Sequence, residues 1–187
     1  MITWTRNFLS EEDYNFLSNE SKKIFKREAD TLMDASNKDY VDDPRYKFFK
    51  HLDEETEKEC KEIIRELTEK TDNNSLLIHT IEPNSKIGKI ITKSFKEYQP
   101  TLMMFYYFTP GSSIGWHCDE NFNEGATIYL NDWKEEWGGL YKYNDGEIKT
   151  IIPERNLMVY QTEHTPHCVT KTTNIAPIRH SIQLFFA

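Results

Sequence analysis

From Thr101 onward the chain runs in short stretches of strand period, separated by turn residues and by no helical pattern. Thr101–Phe108 is a β-branched and aromatic run stopped by Pro110-Gly111. Thr127–Leu130, Gly139–Tyr143, Glu147–Ile152, Leu157–Gln161, His167–Thr170 and His180–Phe186 follow. Asn144-Asp145-Gly146 is a hairpin signal between two of them. Strands this close, with no helix between them to cross over, point to an antiparallel sandwich or barrel.

Residues 1–100 read differently. They hold 38 of the 54 charged residues and a single glycine, Gly88. Ser10 precedes Glu11-Glu12-Asp13, so its hydroxyl can accept from first-turn amides while the carboxylates meet the positive end of a helix dipole. Leu9 and Tyr14 occupy the two positions of a hydrophobic staple around that cap. A second helix is expected over Asp53–Lys70, with Cys60, Ile63, Ile64 and Leu67 as its apolar stripe, so Cys60 reads as a core residue. The polar stretch Asp34–Arg45 reads as a loop. The expected organisation is one domain, 1–187, with a helical support region (1–100) and a catalytic β-core (101–187).

Composition excludes several function classes. A net charge of −8 gives no long-range attraction for a phosphate backbone, so a nucleic-acid partner is disfavoured. No apolar run approaches 18 residues, so no membrane span is expected. Three cysteines at no zinc-finger spacing, and a start without an apolar signal region, lead to an expected reducing, cytoplasmic location. Aromatics make up 13% of a chain poor in aliphatics, so the core needs few, large side chains. A barrel with a polar site inside it also fits that composition.

The residues that carry chemistry lie between Trp116 and Ser181. In His117-Cys118-Asp119 an extended backbone turns the imidazole and the carboxylate the same way, with Cys118 pointing elsewhere. Alone, this is as well read as a surface His–Asp pair. About fifty residues on, His164 and His167 compete to supply a third ligand. His167 is preferred because a strand follows it directly. Two histidines and one carboxylate on one face of an ion leave three positions open, the arrangement of non-haem Fe(II) oxygenases. A zinc site using Cys118 and Cys168 is disfavoured, because each thiol neighbours a histidine that competes for the same face. In Arg179-His180-Ser181 the guanidinium and hydroxyl share a face and form a fork suited to a carboxylate. An isolated Arg there would read as a structural salt bridge.

The order of these elements resembles the Fe(II)/2-oxoglutarate-dependent oxygenases, in particular their prolyl 4-hydroxylase-like branch. The resemblance is carried by Phe108-Thr109-Pro110-Gly111, Trp116-His117-Cys118-Asp119, Tyr129-Leu130-Asn131, Asp132-Trp133 with Trp137-Gly138-Gly139-Leu140, Pro166-His167-Cys168-Val169 and Arg179-His180-Ser181. Phe8-Leu9-Ser10-Glu11-Glu12 also looks like that branch's first strand-to-helix junction. The resemblance implies a mainly β (α+β) double-stranded β-helix, or jelly roll, with N-terminal helices packed on the sheet. It implies Fe(II) on His117, Asp119 and His167, and 2-oxoglutarate held at its distal carboxylate by Arg179, with Ser181 and Tyr129 as helpers. O2 would be the oxidant and ascorbate a supporting reductant. Oxidative decarboxylation to succinate and CO2 would accompany hydroxylation of the substrate.

Departures from the family pattern narrow the reading. The branch usually has Tyr where Phe108 stands, and either Tyr106 or Tyr107 could replace the missing hydroxyl. Collagen-type members often carry Lys at the position of Arg179, whereas oxygen-sensing members carry Arg. The nucleic-acid dealkylases have a second Arg six residues later, where this chain has Phe185. Halogenases lack the carboxylate ligand that Asp119 supplies. Trp116, Trp133 and Trp137 are expected to pack loops onto the sheet, and Gly138-Gly139 to form a tight turn or bulge. The expected substrate is a prolyl residue in a protein or peptide. A free amino acid or other small molecule is the rival within the enzyme class, and a cupin-like zinc-binding module without turnover is the rival outside it.

Overall fold

The computed structural model describes residues 1–34, 76–95, 99–119, 122–162 and 165–187. The helix expected over Asp53–Lys70, the loop expected after Asp34, and His164 lie outside these residues.

Eleven strands and two α-helices are described. In chain order they are β1 (Ile2–Arg6), α1 (Glu11–Glu28), β2 (Met33–Asp34), β3 (Leu76–Thr80), α2 (Lys86–Ser94), β4 (Leu102–Phe108), β5 (Ile114–His117), β6 (Glu124–Tyr129), β7 (Tyr141–Asn144), β8 (Ile148–Ile151), β9 (Leu157–Thr162), β10 (His167–Val169) and β11 (Arg179–Phe186). A seven-stranded sheet runs β1-β9-β6-β11-β4-β3-β2 and a four-stranded sheet runs β5-β10-β7-β8. All the strand pairs are antiparallel. The architecture is a jelly roll with an N-terminal helix against its larger sheet. The first hundred residues are not purely helical, since β1, β2 and β3 join that sheet.

Strand alternation divides the larger sheet into two faces. One carries Met103, Phe105, Tyr107, Ala126, Ile128, Met158, Ile182, Leu184 and Phe186, which pack against Leu17 and Ile24 of α1 and Ile91 of α2. The other turns toward the smaller sheet, where Phe108, Tyr129, Leu157 and Val159 meet Tyr141, Tyr143 and Val169. The site lies on this second face.

Local chemistry explains α1. Ser10 Oγ accepts from the Asp13 amide at 3.1 Å, and Leu9 and Tyr14 are both buried beside it. Three acidic residues open the helix, and Lys26 and Arg27 close it. Tyr14 and Ser18 both donate to the Leu130 carbonyl, which docks the helix on the end of β6. Asn156, in the left-handed region at φ 57°, fastens the entry, because its amide exchanges two 2.9 Å bonds with the Leu9 backbone. The sequence reading missed α2, whose Gly88 lowers helix propensity. A Cβ at Gly88 would collide with the Glu82 and Pro83 carbonyls, so glycine lets the helix sit on that turn. The β7–β8 hairpin forms where Asn144-Asp145-Gly146 predicted it, with Gly146 at φ 111° and its amide on Asn144 Oδ1.

His180 faces α1, away from the site. Its Nδ1 lies 2.9 Å from Ser21 Oγ, and the rings of Tyr107 and Phe25 flank it. Burial, with help from Lys22, pulls its pKa from 6.5 down to about 4. The unfolded chain therefore binds a proton that the folded one refuses, and stability is lost as pH falls from about 6.5 towards 4. The gap is worth roughly 3 kcal/mol. Urea unfolding between pH 7.5 and 4.5 should show that loss in the wild type and a shallower one in His180→Gln. Equal slopes in the two proteins would reject His180 as a source.

Candidate metal and cosubstrate site

Two strands of the smaller sheet bring the histidines together. His117 ends β5, His167 begins β10, and the two are paired directly across the ladder. Their ring centroids are 4.1 Å apart. Asp119 follows β5 two residues later, with Oδ1 3.6 Å from His117 Nε2 and Oδ2 3.6 Å from His167 Nε2. The three potential ligand atoms lie within 4.8 Å of one another, and neither Cys118 nor Cys168 belongs to the group.

The protonation of the imidazoles suits a cation. Each Nδ1 donates to a backbone carbonyl two residues upstream, His117 to Gly115 at 2.8 Å and His167 to Thr165 at 2.9 Å. That bond places a proton on each Nδ1 and turns both Nε2 atoms toward Asp119. Burial, then the neighbouring His117, pulls the His167 pKa down to about 4, against the pull of Asp119. His167 is therefore neutral at pH 7, as a metal ligand must be, and its contact with Asp119 is not an ion pair.

Arg179 opens β11 on the face shared with the triad. Its residue is 2% exposed, among the largest fully buried side chains. Burial lowers its pKa to about 10, so it stays a cation at neutral pH; the group that counters this is Tyr129, and among the described residues no carboxylate acts on it. The guanidinium stacks on Phe108 with Cζ 3.8 Å from the ring centre, and Tyr129 lies 5.5 Å away. Phe108 thus presents a ring face to the cation, and its π-cloud offsets part of the cation's desolvation. One nitrogen of the guanidinium donates to the Gly139 carbonyl, while Nε is buried with no partner. Gly139 has φ 61°, and a Cβ there would press on Thr172 and the guanidinium. Gly138 shares the positive φ but forms an isolated antiparallel bridge with Thr172 and not a tight turn, and its carbonyl accepts from Trp133 Nε1.

The remaining expected residues divide between the two faces. Ser181 pairs with Tyr129 on one side and Tyr106 on the other, and all three share the face of Arg179. Burial raises the Tyr129 phenol above its ordinary range, so it is a neutral hydrogen-bonding group. Tyr107 is a correction. It points to α1, donates to the Ser21 carbonyl at 3.2 Å, and sits in the helix-side core, so it cannot replace the missing hydroxyl near Phe108. Trp133 and Trp137 pack edge to face at 5.2 Å, with Trp133 Nε1 donating to Gly138, while Trp116 is 43% exposed.

Two residues of the site were missed. Gln161 Nε2 donates to Asp119 Oδ2 at 3.1 Å, and the Tyr141 hydroxyl donates to Gln161 Oε1 at 2.9 Å. The signal was present in Leu157-Met158-Val159-Tyr160-Gln161, where a polar residue falls at the inward period of an apolar strand.

Residues 102–187 match the model of the 2OG-Fe(II) oxygenase superfamily. The match covers 86 of the 187 residues, all of them in the β half. The sequence has no significant match among curated proteins. In fold the chain is similar to a prolyl-4-hydroxylase of Pseudomonas putida, at 15% identity and a TM-score of 0.66, over 99% of this chain and 91% of that one. It is similar to a prolyl hydroxylase of Trichoplax adhaerens, solved with a hypoxia inducible factor peptide fragment, at 13% identity and a TM-score of 0.67, over 99% and 82%. It is also similar to the non-heme alpha ketoglutarate dependent epimerase SnoN from nogalamycin biosynthesis, at 9% identity and a TM-score of 0.61, over 100% and 77%. The superfamily implies Fe(II), 2-oxoglutarate and O2, and the cluster of His117, Asp119 and His167 can hold the iron. No described helix is long and apolar enough to cross a membrane.

Proposed function

We propose that the protein is an Fe(II)- and 2-oxoglutarate-dependent dioxygenase that hydroxylates a prolyl residue in a protein or peptide. The observation that carries the reading is a fully buried guanidinium, with no carboxylate partner among the described residues, on the same inter-sheet face as two histidines and a carboxylate. A buried cation is costly unless an anion joins it. A structural zinc module has no use for such an anchor, whereas a dicarboxylic cosubstrate would use both the anchor and the triad.

In this reading His117, Asp119 and His167 hold Fe(II) on one face and leave three positions open. When bound, Fe(II) would let O2 oxidise 2-oxoglutarate and substrate together, one oxygen atom entering a substrate C–H bond and the other entering succinate as CO2 is lost. Arg179 forks onto the distal carboxylate, Ser181 adds a hydroxyl on the same face, and Tyr129 and Tyr106 flank them. Phe108, Tyr129 and Tyr141 wall the anchor with aromatic surface and keep water from competing for it. The peptide preference rests on the likeness to prolyl hydroxylases, one of them solved with a bound peptide fragment.

The test is incubation of the full chain with Fe(II), 2-oxoglutarate and a proline-bearing peptide library. The expected result is succinate release matched by a one-oxygen mass gain on a peptide. Succinate with no oxygenated peptide would move the substrate to the small-molecule class. Failure to form succinate with any substrate in the presence of Fe(II) would defeat the oxygenase reading.

A further inference from the structure

His117 and His167 are fixed by the ladder that pairs them, but Asp119 is not. β5 ends at His117, so the backbone of Asp119 lies beyond the last cross-strand pair. A carboxylate that must meet two imidazoles from such a segment needs a tether on its side chain. The structure supplies one from the opposite sheet. Gln161 of β9 is 6% exposed, and its Nε2 donates to Asp119 Oδ2 at 3.1 Å. Its Oε1 accepts from the hydroxyl of Tyr141 in β7 at 2.9 Å.

The chemistry of the groups sets the direction of this chain. An ionised carboxylate only accepts, so the amide must turn its NH2 toward Asp119 and its oxygen toward Tyr141. The phenol then has to donate. Tyr141 also lies against the third ligand, its ring stacked on that of His167 at 5.3 Å and 23°. One side chain therefore braces His167 by its face and Asp119 by its hydroxyl, acting through Gln161.

We propose that Gln161 and Tyr141 are positioning residues for the metal site: Gln161 engages Oδ2 of Asp119 so that Oδ1 serves as a single-oxygen ligand, and Tyr141 fixes the Gln161 amide in the orientation this requires. The proposal rests on the metal-site reading above. Holding the carboxylate to one oxygen keeps it to one coordination position and preserves the three open positions that cosubstrate and O2 need. Partners of this kind typically change metal affinity by about 10–100-fold when removed.

The test is titration of the chelator-stripped full chain with Co(II), without 2-oxoglutarate, read by the visible d–d absorption bands and by the metal-induced rise in thermal midpoint. Gln161→Leu is expected to bind Co(II) about 10–100-fold more weakly than wild type and to show altered bands. Tyr141→Phe keeps the stacked ring and deletes one oxygen, so a smaller loss of about tenfold or less, with bands shifted in the same direction, is expected. Circular dichroism of each stripped variant establishes that it is folded. A folded Gln161→Leu with wild-type affinity and spectrum would overturn the proposal. If Gln161→Leu does not fold, Tyr141→Phe decides, and wild-type affinity and bands there would overturn it equally. A wild-type chain that takes up no Co(II) would instead overturn the metal-site reading itself, so the two failures are distinguishable.

Discussion

Arg179→Met is expected to raise the 2-oxoglutarate concentration for half-maximal turnover by roughly 10²–10³-fold, while the metal- and cosubstrate-free protein unfolds at the same temperature as wild type or a higher one. The two halves of this expectation have one cause. The guanidinium is fully buried, has no carboxylate on it among the described residues, and leaves Nε without a partner. A forked bond to a carboxylate consists of two charge-assisted hydrogen bonds of roughly 1.5–3 kcal/mol each, and the lower part of their sum, about 3–4 kcal/mol, corresponds to the predicted range. Without the anion, the same cation is a desolvation cost of several kcal/mol that the Phe108 ring offsets only in part. Methionine removes that cost and fills similar space. Loss of the donor to Gly139 works the other way and is the smaller effect. Arg179→Lys should fall between, since it keeps the charge and loses the fork. Steady-state succinate assays give the first half and calorimetry of the stripped protein the second. An unchanged 2-oxoglutarate requirement in Arg179→Met would remove Arg179 from the site.

Asp119→Ala should abolish Fe(II)-dependent turnover and weaken divalent-metal binding by more than about 10²-fold, because it removes the one anionic ligand of the three and leaves two neutral imidazoles. The fold should survive, as Asp119 sits beyond the end of β5 and outside both hydrophobic clusters. His167→Ala should be as damaging to turnover, since the ladder sets His167 directly opposite His117. Metal titration and succinate assays on circular-dichroism-checked variants measure both. Full Fe(II)-dependent activity in Asp119→Ala would sink the ligand assignment, and the site would have to be rebuilt around other groups.

Much of this was legible locally. Period two put His117 with Asp119 and Arg179 with Ser181, because successive strand residues must point to opposite faces whatever the sheet around them. The Ser10 cap and the Asn144-Asp145-Gly146 hairpin were legible for the same reason, each being decided by a few neighbouring residues. The strands β1 and β5 were not legible, since β1 is exposed at four of its five residues and no residue of β5 is fully buried, so neither shows the alternation of a half-buried strand. Helix α2 was hidden by Gly88, whose unfavourable propensity is overridden by its close contact with the preceding turn.

The choice between Tyr106 and Tyr107 shows where local reasoning stops. Adjacent tyrosines on one strand must face opposite ways, and the sequence says so, but nothing local says which face is the site. That was decided when β4 paired with β11 in the register that sets Tyr106 opposite Ser181 and leaves Tyr107 beside His180 under α1. Gln161 and Tyr141 are a similar case, twenty residues apart and joined only because the two sheets face each other. By itself, then, the sequence determined the strand-rich class, the residue types able to bind a cation and a carboxylate, and their order along the chain. Tertiary structure alone decided which of those side chains meet, since cross-strand register and sheet-on-sheet packing depend on contacts between residues too distant in sequence for any local pattern to encode.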